Sequence, residues 1–312
     1  MTAPQLSTHI RTFAPEETAD WGAVLAAARR YDEAGIDRVV VSDHVVFGER
    51  LEEYGRPEIG GRAGGTQPTG PDGAWLEPLI ALAFVAASTT RIRIGTNIVI
   101  AALRRPVVLA KQAATLDILS GGRLDLGVGV GWQREEYEAA GLDFDGRGRL
   151  LEHTLEVCRT LWTERRAAYD APELRFEKIH MMPKPVQPGG VPVWVSGTVH
   201  KPVVRRLARF GAGWIPWGPD ADDPPRGIAR MREALDAVGH DHSRLQIVGQ
   251  AEIVEGADGR IDVDRTLEPV PELVEAGVTD VRLPLDPETS LDDLRTLVAA
   301  FRAAVGRTAA AA

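Results

Sequence analysis

The sequence predicts one α/β domain over residues 1–312, a (β/α)8 TIM barrel with insertions after strand two and before strand five. Two observations carry that reading. Short β-branched runs alternate with longer amphipathic ones, the pattern of βα units around a parallel sheet. Eight strand candidates can be counted, each paired with a helix pattern, and eight suits a closed barrel better than a doubly wound sheet. Length agrees, since a barrel of about 250 residues plus insertions uses up the chain.

The strand candidates are, in order, "HIRTF" from His9, "DRVVVS" from Asp37, "IRIGTNI" from Ile92, "RLDLGVGV" from Arg123, "VPVWVS" from Val191, "GWIPW" from Gly213, "LQIVGQAEI" from Leu245 and "DVRLPL" from Asp280. The clearest helix patterns are "WGAVLAAARRYDEAG", "PVVLAKQAATLDILSGG", "KPVVRRLARFGAG" and "LDDLRTLVAAFRAAVG"; two of these end in a glycine suited to a left-handed C-cap. The first insertion, Phe47–Ala74, is rich in Gly, Pro and charge and reads as a long loop. It follows a strand C-terminus, where barrel active sites sit, so it is a candidate lid. The second, Thr163–Gly190, carries "PKPVQP", whose prolines favour extended chain.

Composition narrows the function classes. The chain is 44% hydrophobic with a formal net charge of -9, which suits a soluble protein with a substantial core and argues against nucleic acid or an anionic membrane as partner. A single cysteine, Cys158, excludes a disulfide framework and a thiolate metal cluster. The longest apolar run, "IALAFVAAS", falls far short of the roughly 20 residues of a membrane helix, and "MTAPQLSTHIRTF" lacks a signal core. A cytoplasmic protein acting on a small-molecule substrate is expected.

Several residues stand where barrel enzymes keep their chemistry. "VVVSDHVVF" places Asp43 and His44 just past the second strand. Histidine titrates near neutrality and suits proton transfer; Asp43 can accept ligand hydrogen bonds or cap a turn. Neighbouring residues there point to opposite faces, so the two need not form a dyad. "GRLDLGVGVGW" fills a strand end with glycine, which marks a close approach to the backbone. It reads GxGxG rather than GxGxxG and lacks the acidic residue of a Rossmann unit. Gly129 and Gly131 therefore clear room either for a planar cofactor or for close packing.

"IGTNIVI" puts Thr96 and Asn97 in a strand that should be apolar, pointing to an irregular peptide or to a solvent-facing strand end. Ser196-Gly197-Thr198 leads from the fifth strand into a helix, which makes either an anion site or an ordinary N-cap. Lys201, Arg205 and Arg206 either strengthen that site or are surface charges. Trp132, Trp194, Trp214 and Trp217 line a pocket in part, with core packing accounting for most of them. His153, His180, His240 and His242 lack metal-ligand spacing, and no metal is expected.

In this order, "VVVSDH", "IRIGTNIVIAALRRPVVLAKQAATLDILSGGRLDLGVGVGWQREEYEAAG", "PKPVQPGGVPVWVSGT" and "GAGWIP" resemble the bacterial luciferase-like monooxygenase superfamily, from about Asp20 onward. "SDH" and the glycine block look most like the branch that uses the deazaflavin coenzyme F420 rather than FMN. The resemblance implies a deazaflavin at the strand C-termini and a cis peptide at Asn97-Ile98. It implies Asp43 and His44 beside the reactive ring, with Thr96 next to that peptide, and Ser196, Gly197 and Thr198 on the tail phosphate. A homodimer is implied as well. Related sugar-phosphate dehydrogenases carry a catalytic glutamate where this chain has Trp132 and a tryptophan near Phe47-Gly48. Both departures make a sugar phosphate a poor substrate, with Phe47 and Trp132 shaping an apolar pocket instead. The expected chemistry is hydride transfer between deazaflavin and a small organic substrate, His44 moving the proton. The alternatives are an FMN-dependent monooxygenase and a non-catalytic cofactor-binding barrel.

Overall fold

Alternating inward and outward side chains on eight short strands close the chain on itself. The computed structural model describes residues 3–15 and 21–311. The barrel strands are β1 (Gln5–His9), β2 (Arg38–Val41), β3 (Arg93–Thr96), β4 (Leu124–Val128), β5 (Val193–Ser196), β6 (Gly211–Ile215), β7 (Gln246–Gln250) and β8 (Asp280–Leu283). All neighbours are parallel and follow chain order, and β8 pairs with β1 to close the barrel, Ser7 opposite Arg282. The expected (β/α)8 barrel is the fold observed.

Helices pack round the outside: α1 (Gly22–Ala34), α2 (Pro78–Ser88), α3 (Pro106–Leu119), α4 (Arg134–Ala139), α5 (Arg147–Thr163), α6 (Lys201–Phe210), α7 (Pro219–Asp222), α8 (Pro224–Asp236), α9 (Val263–Leu267), α10 (Val270–Ala276) and α11 (Leu291–Ala311). Their apolar stripes meet the outward residues of the strands, so Leu82, Ile94, Leu109, Leu124 and Phe301 are fully buried. Cys158 is buried on α5, and burial pushes its thiol well above the usual range. No helix among the described residues is long and apolar enough to cross a membrane.

The first strand lies upstream of its expected place, at Gln5–His9 rather than from His9. Ser7 and Thr8 are buried there although they are polar, because the interior near the N-terminal ends of the strands is ionic rather than apolar. Arg93 forks onto both oxygens of Asp125 at 2.7 Å, Arg38 Nε reaches Asp125 at 2.9 Å, and Asp280 accepts from Arg38 Nη1 and Ser7 Oγ. The Arg38 guanidinium also lies 4.5 Å from the Trp194 ring centre. A small apolar cluster of Trp194, Ile215 and Val248 follows, with Ile98 packed against it.

Both insertions appear. Phe47–Ala74 holds two 3-10 turns, Leu51–Gly55 and Pro57–Ile59, and ends in a short ribbon pairing Phe13–Ala14 with Ala74–Trp75. The second insertion is an antiparallel ribbon, Ala167–Ala171 with Leu174–Ile179, ahead of the irregular proline-rich stretch. The extended chain expected there covers only that last part.

Candidate active site

Strand β2 ends at Val41, and the two residues singled out there take different partners. Asp43 is buried; its carboxylate accepts from Ile100 N–H at 2.8 Å and from Arg104 at 2.6 and 3.0 Å, and Arg104 also holds Glu77 at 3.0 Å. Asp43 thus ties the end of β2 to the segment after β3, as a buried carboxylate must be paired and hydrogen-bonded.

His44 faces an aromatic wall. Its ring centre lies 4.4 Å from Phe47, 4.8 Å from Trp75 and 6.1 Å from Trp132, and its side chain is only 9% exposed. Nδ1 stands 3.3 Å from Glu136 Oε2, whose side chain is fully buried. The other oxygen, Glu136 Oε1, accepts the Val45 N–H at 2.8 Å.

The cis peptide expected at Asn97-Ile98 is present just past β3. Thr96 is buried and its hydroxyl donates to Gly127 O at 2.7 Å, which joins this segment to β4. Asn97 Nδ2 lies 3.2 Å from His9 Nε2. Burial, with the Arg282 charge adding to it, pushes His9 down to about 3, so its imidazole is neutral; with the Asn97 amide nitrogen turned toward it, Nε2 is the acceptor of that contact. That leaves Asn97 Oδ1 as a buried acceptor with no partner. Trp132 Nε1 is likewise a buried donor with no partner.

The glycine strand serves this segment directly. A Cβ on Gly127 would strike Thr96 O at 1.9 Å, and one on Gly129 would meet Ile98 at 2.8 Å. Gly131 adopts φ +67°, a left-handed backbone that glycine enters freely, and its missing Cβ faces Ile100. Both glycines lie in close contact, Gly129 with Ile98 and Gly131 with Ile100. The neighbour is β3 and its continuation, and any ring would feel these glycines through Ile98.

The Ser196-Gly197-Thr198 turn is already partly engaged. Gly197 N–H donates to Ile215 O, Thr198 Oγ1 donates to Trp217 O at 2.9 Å, and Val199 N–H goes to the buried Asp220, which pairs with Arg230. Ser196 Oγ makes no hydrogen bond among the described residues. Arg205 and Arg206 both bind Glu152 rather than the turn; Arg205 is exposed, as the surface-charge reading has it, while Arg206 is buried and also donates to Gly148 O.

The first insertion covers the mouth. Gly48 N–H donates to Gln133 Oε1 at 2.6 Å, Trp217 Nε1 to Gly61 O at 3.0 Å and Arg147 to Ile59 O at 3.1 Å, while Arg62 pairs with Asp222. Tyr54 packs on Trp132 at 5.5 Å and on Trp217 at 6.4 Å. Under it His44 meets Phe47, Trp75 and Trp132, and its neighbour Asp43 ties this group to the segment after the Asn97-Ile98 peptide through Ile100 N–H.

Sequence reasoning missed His9, Arg104, Glu136 and Gln133. With β1 placed correctly, His9 falls at a strand C-terminus, where it would have been noticed. Glu136 stands in the first turn of α4, directly after β4, but Glu135 and Glu138 flank it and nothing in the pattern says which points inward.

With this geometry in hand, similarity to known proteins can be weighed. A family model described as luciferase-like monooxygenase matches residues 5–259. The chain belongs to that family. It is 32% identical over 287 residues to an uncharacterized protein of Mycobacterium tuberculosis, covering 90% of this chain and 93% of that one. It is 33% identical over 213 residues to the F420-dependent glucose-6-phosphate dehydrogenase of Segniliparus rotundus, covering 65% of this chain and 53% of that one. Among solved structures, an F420-dependent secondary alcohol dehydrogenase with an F420-acetone adduct superposes with TM-score 0.72, 16% identity and 96% and 100% coverage. The oxygenating constituent of 3,6-diketocamphane monooxygenase from Pseudomonas putida, in complex with FMN, gives TM-score 0.70 at 16% identity over 94% and 96%. At those identities the family shares the fold.

Proposed function

We propose that the chain is an F420-dependent oxidoreductase that transfers a hydride between the deazaflavin and a small organic substrate, with His44 as proton donor or acceptor. The observation that carries this reading is the mouth itself: a buried imidazole walled by aromatic rings, beside a cis-peptide segment that presents the unpartnered acceptor Asn97 Oδ1. A planar heterocycle with an N–H edge would satisfy that acceptor, so the residues present fit the ring of the group. The name of the Segniliparus relative supports F420 over FMN.

The bound deazaflavin supplies the hydride chemistry. The chain supplies the rest. The peptide Asn97-Ile98 and the Asn97 amide would hold the ring, while Asp43 and Arg104 keep that segment in place. Ser196 and Thr198 would take the phosphate of the tail. Phe47, Trp75 and Trp132 exclude water from His44 and favour an apolar substrate. A hydride accepted by a polar substrate carbon leaves a proton to be supplied to its oxygen, and His44 is placed to supply it or, in reverse, to take it.

The test is a fluorescence-quenching titration with F420 and FMN side by side, where F420 is expected to bind more tightly. Equal or reversed affinity would overturn the reading. The homodimer is proposed on the same footing; α2 leaves Ile80 60% and Phe84 62% exposed one turn apart, apolar area for a second copy to cover. Light scattering on Phe84→Glu should then report a smaller particle than the parent.

A further inference from the structure

We infer that Glu136 is the positioning residue of His44: its buried carboxylate fixes which ring nitrogen carries the proton, leaving Nε2 free to exchange one with substrate. The inference rests on the proposed proton role of His44 and adds the partner that sets it. Glu136 Oε1 is held by the Val45 N–H at 2.8 Å, one residue along the chain from the histidine it faces. Oε2 has no hydrogen-bond partner and lies 3.3 Å from His44 Nδ1, which has none either. Two buried polar atoms that each lack any other partner and lie this close satisfy one another with a small rotation of either side chain.

The other groups around the ring do not compete. Phe47, Trp75 and Trp132 carry no charge near neutrality, and Asp43 is occupied by Arg104 and Ile100 N–H. His44 Nε2 makes no hydrogen bond among the described residues. An ionised carboxylate accepts only, so neutral His44 must donate from Nδ1 and keep its lone pair on Nε2. When Nε2 takes a proton, Glu136 balances the new charge; when it gives the proton up, the ring returns to the same tautomer without turning. A rigid helix turn, rather than the lid, therefore sets the direction in which the proton moves.

The side-chain nitrogen spectrum of protein labelled with 15N-histidine, with no cofactor added, reads this directly. His44 is identified by the signal missing in His44→Asn. In the unmutated chain His44 should show a protonated Nδ1 and a bare Nε2 at alkaline pH; a protonated Nε2 would overturn the inference with no reliance on a variant. Glu136→Gln keeps an oxygen for the Val45 N–H and turns an amide donor toward Nδ1. The tautomer should reverse, leaving Nε2 protonated and Nδ1 bare. An unchanged tautomer in Glu136→Gln would also overturn it. A protein that binds neither F420 nor FMN would sink the proposed function instead, and the tautomer of His44 would still answer for Glu136.

Discussion

The two ends of the barrel interior bury polar groups on opposite terms. At the N-terminal end most charges are matched, Arg38 and Arg93 sharing Asp125 and Asp280 taking Arg38 and Ser7, although Arg282 Nη1 and Gln5 Oε1 are left over there. At the C-terminal end Asn97 Oδ1, Trp132 Nε1 and the facing atoms of His44 and Glu136 lack hydrogen-bond partners. Buried polar groups left unmatched cost stability, and the C-terminal set stands out because its members gather around one histidine and one cis peptide. The difference separates a layer that holds the barrel together from the end where the proposed site lies. It also predicts that variants at the two ends fail differently.

The largest effect should come from Asp280→Ala at the N-terminal end. It leaves Arg38 with one carboxylate and, among the described residues, removes the one that pairs with Arg282, whose guanidinium burial already pushes down to about 9. Removing one partner of a buried pair typically costs about 3–5 kcal/mol. The melting temperature should fall by about 10 °C, while the protein folded at low temperature binds F420 with parental affinity. A parental melt with lost binding would erase the contrast between the ends.

The second variant probes the layer between them. In Gly129→Val the new side chain would press on Ile98, and overpacking of this kind costs about 1–3 kcal/mol. Gly129→Val should melt early, and Gly129→Val with Ile98→Ala should be less destabilised than the two single changes summed. If the single variant instead keeps its melting temperature and loses F420 binding, the ring itself lies against Gly129.

That layered interior explains what the sequence could and could not reveal. The barrel was legible because outward residues such as Val39, Ile94 and Leu126 follow strand periodicity and the helices between them are amphipathic. The inward residues obey no apolar rule: Ser7, Arg38, Arg93, Asp125 and Asp280 line the lower core, so the pattern places the first strand four residues downstream of β1. Asp43, His44 and Asn97 were legible because polar residues interrupt strand ends there. Glu136 and His9 were not, since the partner of each is 92 and 88 residues away in sequence, at His44 and Asn97 respectively. Pairing over that distance is a property of the closed barrel and leaves no local pattern.

The smallest effect concerns His9, which links the two ends. Its folded form is pushed down to about 3, against about 6.5 for a free histidine. Between those values the unfolded chain binds a proton that the folded chain refuses, so the stability due to neutral His9 is complete above pH 6.5 and lost progressively as pH falls toward 3. At pH 5 the full shift corresponds to about 2 kcal/mol. The residue as a whole is half-buried, so screening brings the expected loss nearer 1 kcal/mol. Urea unfolding of the parent and of His9→Gln at pH 7 and pH 5 isolates the term, because every other titrating group is common to both. The parent should lose about 1 kcal/mol more than His9→Gln over that interval. Identical losses would mean that His9 accepts a proton in the folded state. Nε2 would then be a donor, the Asn97 amide would turn its oxygen toward His9, and the acceptor offered to the cofactor would be gone.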